Sequence, residues 1–106
     1  MQSITPIELK TYLDDHDREF LMIDVREPWE YELCRIEGSH HIPMAQIPAS
    51  KDKLELNVET IVICHHGVRS FQVANDLEQS GFSRVCNLEG GIDAWARELD
   101  PDMPQY

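Results

Sequence analysis

The sequence predicts an α/β domain, a small, mainly parallel β-sheet flanked by helices. Three short and almost unbroken apolar runs carry the prediction: FLMIDV (Phe20–Val25), TIVIC (Thr60–Cys64) and RVCNL (Arg84–Leu88). Such runs are the mark of strands covered on both faces. Helix-patterned segments alternate with them at short intervals, and that alternation gives a parallel sheet. At 106 residues the chain has material for one core and no second one. The expectation is therefore one domain over 1–106, its core over about 3–99, with 100–106 as a flexible tail.

The elements follow in order. Thr5-Pro6-Ile7-Glu8 is a helix start: Thr5 can cap, Pro6 suits the first position, and Glu8 lies three residues after the cap. Leu9, Tyr12 and Leu13 share one face, so the helix runs to about Asp15. After the first strand, EPWEYELC holds Pro28 at the start of a short helix. SHHIPMAQIPAS, broken twice by proline, reads as a brief strand followed by turns, and KDKLELNVE as polar surface. A helix over about Ser70–Ser80 places Phe71, Ala74 and Leu77 on one face, with Gly81 to end it. Ile92, Trp95, Ala96 and Leu99 stand at i, i+3, i+4 and i+7, an amphipathic helix with Trp95 in the core. PDMPQY is a frayed tail.

Composition narrows the function. Twenty acidic residues against nine basic ones give a formal net charge of −11, a surface that repels nucleic acid and anionic membrane. The same charge disfavours long-range capture of a small anion. No apolar stretch approaches the ~20 residues needed to span a bilayer. The N-terminal segment lacks the basic-then-apolar pattern of a secretion signal, so a cytoplasmic location is expected. Cys34, Cys64 and Cys86, an odd number at wide spacings, are not a disulfide framework and suit a reducing compartment.

The chemistry concentrates at CHHGVRS, residues 64–70. Ligands of open parallel sheets bind beyond the carboxyl ends of the strands, and Cys64 is at such an end. Gly67 lets the short loop turn sharply into the next helix, so that backbone N–H groups and the helix dipole favour negative charge at the sulfur. Arg69 adds a permanent positive charge. The arrangement describes an activated cysteine nucleophile in an anion cradle. Arg69 is the first choice for a charged contributor; the other reading is an arginine at the surface or anchored by a carboxylate such as Asp24.

CHHGVRS resembles the active-site loop of the rhodanese-like sulfurtransferases, a Cys-x-x-Gly-x-Arg-Ser pattern. IDVREPWEYE is similar to that family's Asp-x-Arg segment, IEGSHHIP to its glycine-to-IP segment, and LEGGIDAWA to its Gly-Gly-x-x-x-Trp segment. The resemblance runs from about Ser3 to Leu99. It implies a thiosulfate sulfurtransferase type of activity, in which Cys64 takes sulfane sulfur from a small donor anion or a persulfide and gives it to a thiol or to cyanide. It further implies that His65, His66, Gly67, Val68, Arg69 and Ser70 surround the substrate and that Asp24 and Arg26 brace the loop. No metal or organic cofactor is implied.

Two other functions compete with that reading. Four residues separate Cys64 from Arg69, one fewer than in the related dual-specificity phosphatases of the cell-cycle type, which disfavours a phosphatase or arsenate reductase. A binding or regulatory module has no need of Cys64, Gly67 and Arg69 together. His65 and His66 are adjacent loop residues whose side chains are expected to diverge, a poor chelate beside recognised zinc spacings. Glu30 reads as a helix residue, bracing or solvated, and Cys34 and Cys86 as inert buried thiols.

Overall fold

The computed structural model of the protein describes residues 1–106. Strands β1 (Gln2–Ile4), β2 (Leu21–Asp24), β3 (His40–His41), β4 (Thr60–Ile63) and β5 (Val85–Leu88) form one sheet in the order β1-β5-β4-β2-β3. Every pairing is parallel, as the alternation of elements requires. Helices α1 (Pro6–Asp14), α2 (Pro28–Leu33), α3 (Ile47–Ser50) and α4 (Val68–Gln79) lie between successive strands, and α5 (Gly91–Leu99) follows β5. No helix is long and apolar enough to cross a membrane.

Side-chain alternation along the central strand divides the core. From β4, Ile61 and Ile63 point to a layer with Leu9, Leu88, Ile92 and Trp95. Val62 and Cys64 point to the opposite layer, with Val73, Ala74 and Leu77 of α4. Burying one such aliphatic side chain contributes about 1.5–3 kcal/mol. Both strand faces are thereby dry, which is why TIVIC is apolar after Thr60.

α1 starts as its sequence demands. Thr5 Oγ1 accepts the Glu8 N–H at 3.2 Å while Glu8 Oε1 accepts the Thr5 N–H at 3.0 Å, with Pro6 at the first position. β1 goes beyond the strands read from sequence, which are the three apolar runs and the brief strand in SHHIPMAQIPAS, found as β3 at His40–His41. The three residues of β1 have no periodicity to detect, and it exists because Gln2, Ser3 and Ile4 pair with Cys86, Asn87 and Leu88.

Two expectations change in α4. It begins at Val68, not Ser70, because Gly67 turns at φ +99° and the helix follows at once. Its buried face is Ser70, Val73, Ala74 and Leu77, whereas Phe71 is 52% exposed. Phe71 stands one residue, about 100°, round from Ser70, whose small buried hydroxyl is engaged in the site. The tail also departs from expectation. Met103 and Tyr106 pack against the core layer that contains Trp95.

Candidate active site

Parallel pairing of β2 with β4 fixes the neighbourhood of Cys64. Asp24 pairs with Ile63, and the Val25 N–H donates to the Ile63 carbonyl at 2.9 Å. Cys64, directly after β4, and Arg26, two residues after β2, therefore emerge at one end of the sheet. Cys64 is 1% exposed, and its Sγ accepts the Gly67 N–H at 3.1 Å. The Ser70 hydroxyl lies 3.2 Å from the same sulfur.

Ser70 also bonds Asn87 Oδ1, and Asn87 Nδ2 donates to the Gly67 carbonyl at 3.1 Å. A hydroxyl has one proton, so Ser70 gives it to Asn87 or to the sulfur, not both. A Cys64 thiol can donate to Ser70 while Ser70 donates to Asn87; a sulfur anion draws the Ser70 proton to itself. Asn87 was missed in the sequence, though a polar residue inside RVCNL was the available signal.

The loop is clamped from behind by α5. The Ile92 N–H donates to the Cys64 carbonyl at 2.8 Å and the Asp93 N–H to the His65 carbonyl at 3.0 Å. This approach requires a glycine at position 91. Its φ is +60°, and a Cβ there would overlap the carbonyl oxygens of Cys64 and His65. Val68, Arg69 and Ser70 occupy the first turn of α4, whose N–H groups have no acceptor within the helix.

Two charged layers lie beside the loop, and the side-chain bonds of Asp24 and Arg26 run to each other, to Cys34 and to Tyr106 rather than to residues 64–70. In the lower one, Arg26 and Asp24 are both fully buried, with Nη2 to Oδ2 at 2.8 Å and Nε to Oδ1 at 2.9 Å. Arg26 also donates to the Cys34 carbonyl at 2.5 Å. Burial alone would lower the affinity of its guanidinium for a proton; the bonds to Asp24, Tyr106 and Cys34 outweigh it and hold Arg26 above its ordinary value.

In the upper layer Arg69 grips Glu30 with two bonds of 2.6 and 2.8 Å. The anchoring carboxylate is thus Glu30, not Asp24, because Asp24 is already committed to Arg26. Glu30 is 3% exposed, far from a solvated helix residue. The bonds from Arg69, ahead of those from Tyr106 and the Glu27 N–H, push its pKa down to about 2 against the opposing effect of burial. Glu30 in turn raises the Arg69 guanidinium above its usual range.

Tyr106 joins the layers. Its hydroxyl donates to Glu30 Oε2 at 2.6 Å and accepts from Arg26 Nη1 at 2.9 Å. Burial, then the bond to Glu30, pushes its phenol up to about 12. The ring stacks on His65 at 3.7 Å and meets Trp29 edge-on at 5.4 Å.

His65 and His66 do not diverge: their ring centroids are 3.9 Å apart. Burial, followed by the neighbouring His66, lowers the pKa of His65. Val68 is 68% exposed at the rim. The Cys34 sulfur accepts from Arg26 Nη1 at 3.7 Å, and Cys86 lies on β5 in the same core layer as Cys34, across the sheet from Cys64.

Comparison with known proteins matches this architecture. The family described as the rhodanese-like domain covers residues 5–98. A probable adenylyltransferase/sulfurtransferase, MoeZ of Mycobacterium tuberculosis, is 38% identical over 98% of this chain, which spans only 27% of that relative's length. A putative sulfurtransferase, YtwF of Bacillus subtilis, is 40% identical over 80% of this chain and 82% of its own. The crystal structure of a rhodanese-like domain protein from Staphylococcus aureus superposes with a TM-score of 0.84 at 35% identity, covering 93% of this chain and 95% of that one.

Proposed function

The chain belongs to the rhodanese-like domain family, and from that premise we propose that it is a sulfurtransferase whose sulfur carrier is Cys64. The observation that carries the reading is the seat of the Cys64 sulfur. It lies at a strand end, under the Gly67 N–H and the Ser70 hydroxyl, in a loop clamped by α5. Relatives described as sulfurtransferases support the reaction class.

The Cys64 sulfur anion attacks the outer sulfur of a donor, thiosulfate or a small-molecule persulfide. A new S–S bond forms as the donor's S–S bond breaks, and the electron pair leaves with sulfite or a thiolate. The persulfide left on Cys64 carries its negative charge on the terminal sulfur. The first-turn N–H groups of Val68, Arg69 and Ser70 supply fixed dipoles for that charge. A thiol or cyanide then attacks the terminal sulfur and frees the Cys64 thiolate. Such double displacement predicts ping-pong kinetics.

In this scheme Arg69 is chiefly a positioning residue. Its guanidinium is spent on Glu30 and its positive charge acts on the sulfur at longer range. Asp24 and Arg26 hold the end of the sheet on which the loop stands.

Intact-protein mass spectrometry after incubation with thiosulfate, or with glutathione persulfide, tests the proposal. Wild type gains one sulfur atom, reversed by a thiol, and Cys64→Ser gains none. Absence of any gain with either donor, or an equal gain in the variant, overturns it.

A further inference from the structure

We propose that His65, His66 and Asp93 form a binding site for a divalent transition-metal ion of the Zn2+ and Co2+ class, at the rim of the Cys64 loop. The proposal is independent of sulfur transfer. Its basis is a juxtaposition that sequence separation hides. The donor atoms of the three side chains all lie within 4.8 Å of one another, with His66 Nδ1 3.9 Å from Asp93 Oδ2.

The backbone builds this cluster. The N–H groups of Ile92 and Asp93 donate to the carbonyls of Cys64 and His65, which sets the first turn of α5 against the histidine pair. Stacking on Tyr106, at an interplanar angle of 9°, fixes the His65 ring. The His66 ring lies against it, so two adjacent loop histidines face the same side. The third donor comes from another element of the fold, which the pair alone lacked.

A tetrahedral ion with bonds of about 2.0–2.2 Å holds its ligand atoms about 3.3–3.6 Å apart. The observed spacings close to that range by small side-chain rotations. His66 is free to make them, being 62% exposed. The bond from Arg97 to Asp93, 3.1 Å long with an arginine that is 57% exposed, is the kind of surface pair that contributes little. Two imidazoles and one carboxylate suit Zn2+, Co2+, Ni2+ or Cu2+, whereas Ca2+ and Mg2+ prefer all-oxygen shells. Three protein ligands leave a coordination position for water. The net charge of −11 favours the approach of a cation to the molecule as a whole.

Titration with Co2+, followed by its visible absorption, tests the site in wild type, Cys64→Ser, His66→Gln and Asp93→Asn. Wild type and Cys64→Ser should bind one ion with the same affinity and the intense bands of a four-coordinate nitrogen and oxygen site. His66→Gln and Asp93→Asn should each weaken binding by about tenfold or more, with urea unfolding confirming that both are folded. Three results would overturn the proposal: no saturable binding up to millimolar Co2+, undiminished binding in both ligand variants, or loss of binding in Cys64→Ser, which would assign the ion to the thiol.

Discussion

Replacing Glu30 by glutamine keeps the size of the side chain and removes the charge on which the upper layer depends. In the native protein that carboxylate receives two bonds from Arg69, one from the Tyr106 hydroxyl and one from the Glu27 N–H. A fall in its pKa from 4.5 to about 2 corresponds to about 3 kcal/mol of stability at neutral pH. Arg69 is 35% exposed, so solvent screens part of the interaction, and about 2 kcal/mol is the expected loss. The pH dependence follows from the sign of the shift. A depressed carboxylate contributes fully above its unfolded pKa, and the contribution fades as pH falls through the folded value. Roughly three-fifths of it should be gone by about pH 3. Urea unfolding of wild type and Glu30→Gln at several pH values reads the difference directly. A gap between them that stays constant from pH 7 to pH 3 would refute the assignment of this stability to the ionised carboxylate.

Three more outcomes are expected. Asp24→Asn strips the buried Arg26 of its counter-charge and should cost about 3–5 kcal/mol in urea unfolding; a loss under about 1 kcal/mol would show that the pair is not what holds this end of the sheet. Tyr106→Phe keeps the ring on His65 but removes bonds to Arg26 and Glu30, for about 1–2 kcal/mol. Because the folded phenol is raised from 10.0 to about 12, that contribution is whole below pH 10 and declines as pH rises toward 12, so the two proteins should converge in alkaline urea unfolding. Gly91→Ala forces a Cβ into the carbonyls of Cys64 and His65 at a left-handed φ, and should destabilise by about 1–3 kcal/mol while slowing sulfur loading of Cys64 in the mass assay.

Local signals are what the sequence expresses well. Thr5-Pro6-Ile7-Glu8 carries a capping box within four residues, TIVIC needs only its own apolarity to read as a buried strand, and the Cys64 loop with its glycine and arginine is contiguous. Each of these is determined by interactions between near neighbours in the chain, so the α/β class and the candidate nucleophile were legible. β1 was not, because three residues without a pattern become a strand only when Cys86, Asn87 and Leu88 lie beside them. The choice of Glu30 as the partner of Arg69 depended on which carboxylate the fold had already spent, and Asp24 was taken by Arg26. Asn87 behind Ser70, Tyr106 over His65 and Asp93 beside His66 all act across separations of 17 or more residues. Chain chemistry supplied those side chains; only parallel pairing of the strands and the docking of α5 on the Cys64 loop brought them within bonding distance, because hydrogen bonds and ion pairs require contact in space whatever their distance along the chain.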